Sequence, residues 1–183
     1  MKNLKVILFC LVALVQLAIP ASMISKHVQT LKHGRLWKLR TAPVDPVDPF
    51  RGRYVVLRFD AQEFTRAEPL PYDQQVYAIL QNNAEGFAEI ERVETQPASG
   101  DNVIQIISDG HYNGKQRIRF PFDRFWMSEH LAQEAEGALA SNSTRERKNA
   151  YVTIRVRGGH AVIEDLYVDD RPIVEYLRST ASP

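Results

Sequence analysis

Five histidines are the residues of this sequence best suited to acid–base or metal chemistry near neutral pH. They lie at positions 27, 33, 111, 130 and 160. His130 and Glu134 are four residues apart, so on a helix they share one face and offer two ligands to a metal ion. No third ligand follows at a matching spacing, and such a pair is more typical of a solvated helix surface.

Patterns for nucleophilic catalysis and for phosphate or calcium binding are weaker. Ser128 and His130 are two residues apart and do not face each other on a helix, so Ser128 fits a helix N-cap better than a nucleophile. Asp45 and Asp48 lie among prolines and lack the regular oxygen spacing of a calcium loop. The sequence also has no glycine-rich phosphate loop. It predicts no catalytic residue, no cofactor and no metal ligand.

Two arginines provide a different kind of candidate, a docking surface. Arg117 and Arg119 alternate along a predicted strand and therefore share one face, with Lys115 and Arg124 nearby. A basic strand face of this kind suits anionic lipid headgroups or an acidic partner. The alternative is an ordinary solvated strand face.

Composition narrows the possible classes of protein. The 183 residues include 23 Lys plus Arg and 22 Asp plus Glu, a net charge of +1 without a basic stripe, so we expect no nucleic-acid partner. The single cysteine excludes an intramolecular disulfide and a cysteine-rich zinc site. Cys10 lies between Phe9 and Leu11 within apolar sequence, which is typical of a membrane helix rather than of a lipidated terminus.

The N-terminal segment predicts a membrane anchor. Residues 1–5 carry two lysines and would form a short cytoplasmic start, and residues 6–24 have no charge. At about 1.5 Å per residue, a helix over 6–24 just crosses a hydrocarbon core of roughly 30 Å, so the lipid bilayer is its expected partner. An apolar row at Ile24, Val28 and Leu31 continues the helix to about residue 33, before Gly34.

Cleavage and orientation leave alternatives open. Ile19-Pro20-Ala21 resembles a signal-peptidase site, so the segment could instead be a removed signal peptide. Five basic residues follow the span, and the positive-inside rule alone would place them in the cytoplasm: Lys26, Lys32, Arg35, Lys38 and Arg40. A short basic start followed at once by an apolar core is the layout of an export signal, and we expect an extracytoplasmic domain.

Residues 35–178 are predicted to form a mainly β, β-rich α+β domain. Alternating apolar residues bounded by turn residues predict strands over 35–41, 53–60, 75–81, 87–93, 103–107, 116–122, 151–156 and 161–168. Turns are expected at Asp109-Gly110 and Asn113-Gly114. One short helix is expected near 128–140, beginning after Ser128.

Two stretches of this domain repeat each other. The pattern of 55–60 returns at 118–123, and that of 86–91 returns at 159–164. This favours two related antiparallel β units, 35–108 and 109–178, sharing one core, although coincidence is the alternative. The apolar residues of the first pattern should then be buried, and these are Val55, Leu57, Phe59, Ile118, Phe120 and Phe122.

Residues 43–60, PVDPVDPFRGRYVVLRFD, resemble the signature of the GDYXXLXY family of small bacterial membrane-anchored proteins. Gly52, Tyr54 and Leu57 match the signature, whereas Arg53 replaces its aspartate and Phe59 replaces its final tyrosine. The resemblance implies a single-pass anchor in the bacterial inner (cytoplasmic) membrane and an extracytoplasmic, periplasmic domain. It also implies a polytopic membrane protein as partner, and it carries no activity with it.

Arg53 bears on the role of the motif. Arginine has no lone pair for a metal and gives up no proton near neutral pH, so it cannot replace a catalytic or ligating acid. The exchange favours a structural or recognition role for Gly52, Tyr54, Leu57 and Phe59. In that role Gly52 allows a close approach, Tyr54 is half-buried and Leu57 contacts the core.

Two functions follow as hypotheses. The first is a membrane-anchored, non-enzymatic β module that docks a membrane or envelope partner. The alternative is an envelope hydrolase whose site is assembled only in three dimensions. A pocket that gathers His111, His130 or His160 with a carboxylate would favour the hydrolase.

Overall fold

Three helices and twelve strands make up the residues that the computed structural model describes, which are 2–43, 54–144 and 146–180. The helices are α1 (Lys2–His33), α2 (Glu129–Asn142) and α3 (Ile173–Thr180). The strands are β1 (Arg35–Ala42), β2 (Tyr54–Val56), β3 (Arg58–Phe59), β4 (Glu63–Thr65), β5 (Gln75–Asn82), β6 (Ala88–Glu94), β7 (Val103–Tyr112), β8 (Lys115–Arg119), β9 (Arg124–Trp126), β10 (Ala150–Arg157), β11 (His160–Val168) and β12 (Arg171–Pro172). The predicted β-rich class is confirmed.

Helix α1 agrees with the predicted helix over 6–24 and its continuation to about 33. Its stretch Lys5–His33 is long and apolar enough to cross a membrane. The helix ends where the Gly34 amide donates to the carbonyl oxygen of Thr30 at 2.8 Å. A Cβ on Gly34 would lie 2.5 Å from that oxygen and 3.0 Å from the amide nitrogen of Val156, so glycine is needed here because the backbones approach closely.

Two five-stranded sheets enclose one core. The first has the strand order β12-β11-β10-β1-β3 and the second β4-β8-β7-β5-β6, with β2 and β9 forming a separate two-stranded ribbon. All pairings between these strands are antiparallel. Side chains from both sheets meet in the main hydrophobic cluster, and several are fully buried, including Leu39, Ile104, Ile154 and Leu166. The expectation of a single shared core is confirmed.

Each sheet takes strands from both predicted units. Strand β1 of the first unit pairs with β10 of the second, β4 pairs with β8, and β2 pairs with β9. The boundary suggested after residue 108 falls inside β7. The division into two units therefore stays a prediction, and neither unit builds its sheets without the other.

The β5–β6 and β10–β11 hairpins share an irregularity at the position where the sequence aligns them. Each contains a β-bulge, in which Glu91 of β6 and Glu164 of β11 are left without a paired residue on the opposite strand. These glutamates are the last residues of the two matching stretches. Gly86 and Gly159, the first residues of those stretches, have φ values of +82° and +83°. The shared bulge and backbone geometry support an internal repeat.

The predicted buried face is confirmed. Val55, Leu57, Phe59, Ile118 and Phe120 are buried, and Phe122 packs against the same cluster while partly exposed. Arg58 and Arg119, which alternate with these residues, are exposed. Strand alternation sends successive side chains to opposite faces, so the period-two pattern alone identified the core side.

The turn expected at Asp109-Gly110 does not occur. Strand β7 continues through Gly110 with a shift in its pairing to β8 between Ser108 and Gly110. The chain reverses at Asn113-Gly114, where the φ values are +50° and +73°. Positive φ at both positions is typical of the tight hairpin turn whose twist matches the flanking strands.

Helix α2 begins after Ser128 as predicted, but not through the hydroxyl. No hydrogen bond joins the Ser128 side chain to the first turn. Its carbonyl oxygen accepts from the amides of Leu131 and Ala132, both at 3.0 Å. The position of the helix start was therefore predicted correctly and its capping interaction was wrong.

Helix α3 was not predicted. It follows two residues with positive φ, Asp169 and Asp170, and buries Ile173 and Leu177. Two apolar residues four apart in an eight-residue segment are too few for a recognisable helical period. Packing against α2 and β11 stabilises this helix.

Tyr151 joins the centre of the first sheet to several neighbours. Its ring stacks on Tyr167 with centroids 5.0 Å apart and meets the edge of Phe87 at 5.5 Å. Its hydroxyl donates to the Asp170 carboxylate at 3.0 Å. Burial, followed by this hydrogen bond, raises the pKa of Tyr151 to about 12.

This pKa predicts a loss of stability at alkaline pH. An unfolded tyrosine has a pKa near 10, so between about pH 10 and pH 12 the unfolded state releases a proton that the folded state retains, and the free energy of unfolding falls by about 1–3 kcal/mol. Denaturant unfolding of the full-length protein in detergent, measured from pH 9 upward, tests this. Tyr151→Phe should flatten that part of the profile. An equally steep decline in the variant would assign the decline to other groups.

Candidate functional site

Leu57 and Phe59 of the motif are core residues. Both are 2% exposed. Phe59 meets Phe120 and Phe122 edge-on at 5.5 and 5.6 Å, and the Leu57 amide donates to the carbonyl oxygen of Asp123 at 2.8 Å. The two segments that repeat each other in sequence therefore pack directly against one another.

Tyr54, the remaining motif residue that the structure describes, lies at the surface end of the ribbon. It is half-buried, as predicted, and pairs with Trp126 across the ribbon with ring centroids 5.1 Å apart. The Arg124 guanidinium lies 4.8 Å from the Tyr54 ring centre. Trp126 is 65% exposed, so the pair presents an aromatic surface to solvent. Gly52 and Arg53 lie outside the described residues.

An open groove of about 770 Å³ joins the motif to the predicted docking arginines; we call it the motif groove. Its apolar lining includes Leu57, Phe59, Ile118 and Phe120. Its charged lining consists of Arg58, Arg117, Arg119, Asp60, Glu63, Asp109 and Asp123. Residues of the motif and the predicted docking arginines, which the sequence suggested separately, thus line the same groove.

Two arginines of the motif groove, Arg117 and Arg119, are paired with carboxylates. Arg117 binds Glu63 at 3.0 Å, and Arg119 binds Asp73 at 2.5 Å and Asp109 at 3.2 Å. Exposed pairs of this kind contribute about 0–1 kcal/mol each, so they orient the side chains more than they stabilise the fold. The groove presents both signs of charge, its floor residues are almost fully buried, and Ile107, which is 39% exposed, is an accessible apolar side chain of its lining. A mixed-charge surface of this kind suits a polypeptide better than an anionic lipid surface.

Sequence reasoning missed most of this arrangement. Lys115 does not line the groove, and Arg124 lies over Tyr54 instead. Trp126 and Glu63 were not recognised as site residues. Residues 124–126 were not predicted to form a strand, and no local signal shows that β9 pairs with the motif strand.

A second groove, of about 660 Å³, is lined by Arg40, Lys148 and several carboxylates. Arg40 lies 4.0 Å from the ring centre of Phe87 and forms an ion pair with Glu85, and Lys148 binds Asp60 at 2.9 Å. Among the described residues, no group of three or more His, Cys, Asp or Glu side chains is arranged to hold a metal ion.

The candidate histidines lie on different elements. His111 on β7 contacts the carbonyl oxygen of Arg66 through Nε2 at 2.8 Å, and His130 lies in the first turn of α2. His160 lies at the start of β11, where burial lowers its pKa and the nearby charges of Lys26 and His27 lower it further. None of these histidines lines either groove.

Comparison with known proteins gives one match. The model of the family described as GDYXXLXY protein matches residues 16–166. No curated protein and no solved structure matches the chain. The matched range runs from the middle of α1 into β11, so it includes the motif, both grooves and most of both sheets.

We expect the floor and the rim of the motif groove to differ in their effect on stability. Leu57→Ala should lower the free energy of unfolding by about 2–5 kcal/mol, because it leaves a cavity in a packed core. Arg58→Ala, at the adjacent exposed position, should change it by no more than about 0.5 kcal/mol. Denaturant unfolding of both full-length variants in detergent measures the difference. Equal losses would contradict the assignment of Leu57 to the floor.

Proposed function

The chain belongs to the GDYXXLXY protein family, and from that premise we propose that it is a membrane-tethered β domain that docks a protein partner through the motif groove. The partner is a membrane or envelope protein, with a polytopic membrane protein as the expected kind. The observation that carries this proposal is the meeting of motif residues and docking arginines in one open groove. A protein docking site combines accessible apolar side chains with polar and charged groups, and the motif groove offers Ile107 among its charged residues.

Helix α1 is the tether in this proposal. Its apolar side chains from Val6 to Ile24 are largely exposed and contact no other part of the described chain that would cover them. Burying such a helix in a bilayer removes this apolar surface from water. The proposed location is the bacterial inner (cytoplasmic) membrane, with a single pass and the C-terminal domain outside the cytoplasm.

Three of the five cations that follow the span lie on β1 and contact aromatic rings of the folded domain, which makes them compatible with this orientation. Arg35 lies 4.5 Å from the ring centre of Trp37, Lys38 lies 5.1 Å from that of Tyr151, and Arg40 lies 4.0 Å from that of Phe87. The positive-inside rule counts charges in short loops beside a span. Basic residues held on strand β1 of a folded domain therefore influence the orientation of the span less than a flexible basic segment would.

The position of the groove indicates which part of a partner it contacts. Strand β1 leads from the end of α1 at Arg35 to Ala42, which lines the motif groove. At about 3.3 Å per residue, this strand places the groove roughly 23 Å along the chain direction from the helix end. The proposed contact is an extramembrane loop or domain of the partner.

The hydrolase hypothesis receives no comparable support. The two grooves described above contain no histidine, and the three candidate histidines lie on separate elements. A catalytic base needs to lie within hydrogen-bonding reach of the group that it activates. Docking is therefore the function that we propose.

Site-specific photocross-linking tests docking. A photoreactive amino acid replaces Arg58, at the rim of the groove, in full-length protein expressed in its membrane. We expect one protein adduct of defined mass, identified by mass spectrometry. The same replacement at Arg171, an exposed residue of β12 outside the groove, should give no such adduct. Identical adducts at both positions, or none at Arg58, would contradict docking through the groove.

Membrane extraction tests the tether separately. The protein should stay in the membrane fraction through high-salt and carbonate washes, because the apolar stretch of α1 buries more surface than peripheral contacts do. Its intact mass should include the residues before Ser22. A mature chain that begins at Ser22 and dissolves in carbonate would show a cleaved signal peptide instead.

A further inference from the structure

The last turns of α1 are packed against the β domain rather than joined to it by a linker. Ile24, at the end of the apolar stretch, is 64% exposed, whereas Thr30 is only 2% exposed. The close approach at Gly34 and contacts of α1 with β10 and β11 fix this end of the helix. The direction of the helix therefore sets which part of the domain is nearest to the membrane.

The part nearest to the membrane is the turn between β10 and β11. Arg157 donates through Nη1 to Oε1 of Gln29 at 3.4 Å. His160 lies close enough to Lys26 and His27 for their charges to lower its pKa, after the larger effect of burial. We call Lys26, His27, Arg157 and His160 the junction collar.

No acidic residue neighbours the junction collar in sequence, and within the described part of the chain none of its four residues forms an ion pair with Asp or Glu. No Asp or Glu occurs in residues 1–44, and none occurs in residues 154–163. The nearby acid Glu164 binds Arg155 at 2.9 Å. This contrasts with the motif groove, where arginines are matched by carboxylates.

The depth of the collar corresponds to the lipid headgroups. At 1.5 Å per residue, Lys26 lies about 3 Å and Gln29 about 8 Å beyond Ile24 along the helix. The headgroup layer of a bilayer is about 5–7 Å thick on each side of its hydrocarbon core. Two half-exposed apolar side chains at the same end, Val28 and Leu36, suit the boundary between headgroups and acyl chains.

We infer that the junction collar binds the phosphates of anionic phospholipids and so holds the domain in one orientation on the membrane. This rests on the tether proposed above and adds a lipid specificity to it. Lys26 and Arg157 provide the positive charge that attracts the phosphate. Lys26 belongs to α1 and Arg157 to β10, so the contact between the helix and the hairpin brings cations from two elements to one headgroup layer. A protein segment is the other possible occupant of such a surface, but the depth of the collar favours lipid.

Native mass spectrometry of the full-length protein tests this inference. The protein is reconstituted in nanodiscs with equal amounts of phosphatidylglycerol and phosphatidylcholine, and the lipids that it retains on release are counted. Wild type should retain phosphatidylglycerol in preference. Lys26→Gln combined with Arg157→Gln should reduce that preference by roughly an order of magnitude, because each cation near an anionic surface strengthens the attraction severalfold.

The matched control removes two exposed cations elsewhere. Lys115→Gln combined with Arg171→Gln causes the same change in charge at strand ends outside the collar, and it should retain the wild-type preference. Both double variants should unfold at the wild-type temperature, because all four side chains are exposed.

Each outcome has a distinct meaning. Equal retention of the two lipids by wild type, or an equal loss in both double variants, overturns the collar while leaving the tether intact. A wild-type preference for phosphatidylglycerol in the collar variant shows that these cations do not select the lipid, and it also overturns the inference. A protein that carbonate extracts contradicts the tether and the collar together.

Discussion

The pairing of strands from opposite halves of the chain is the constraint on which this structure depends. Strand β1 completes the sheet built on the β10–β11 hairpin, and β4 pairs with β8 at the edge of the second sheet. Backbone hydrogen-bonding groups that are buried need partners, and here those partners lie far apart in sequence. The core therefore forms only when both halves are present, and the ribbon of β2 and β9 is held between elements that are already fixed.

The residues of the motif have two different roles in this fold. Leu57 and Phe59 build the floor of a groove whose rim comes from β7, β8 and the segment after β3. Tyr54 lies at the ribbon, beside Trp126 and under Arg124. The motif thus contributes to folding through its buried residues and to the surface through its tyrosine. An arginine at position 53 is compatible with both roles, since neither needs an acid there.

Three sets of cations have different surroundings. Those of β1 lie on aromatic rings, Arg117 and Arg119 of the motif groove pair with carboxylates, and those of the junction collar have no acidic residue beside them in sequence. Net charge alone, +1 over the chain, conceals this distribution. The mixed-charge groove and the basic collar lie at opposite ends of β1, so the proposed protein contact and the proposed lipid contact use separate surfaces of the domain.

Local periodicity by itself determined the long apolar helix, the longer strands of the domain and the face that the motif strand buries, whereas the short strands β4, β9 and β12 were not predicted. Val55, Leu57 and Phe59 were assigned correctly to the core because alternation along a strand is a property of neighbouring residues. The likeness between the two hairpins was also visible, down to the stretches that hold Glu91 and Glu164. Short elements such as α3 were missed because eight residues carry too little periodic signal.

Strands joined by a short turn, such as β10 and β11, were expected to pair, but only the tertiary structure decided which strands from distant parts of the chain are neighbours, and with them the site. The contacts of Tyr54 with Trp126 and of Arg117 with Glu63 join residues more than fifty positions apart. The meeting of Arg157 with the end of α1 spans a still longer separation, between positions 157 and 29. Such contacts follow from how two sheets and a helix pack to bury one common core. Because packing depends on all of these side chains together, it cannot be predicted from any single segment of the sequence.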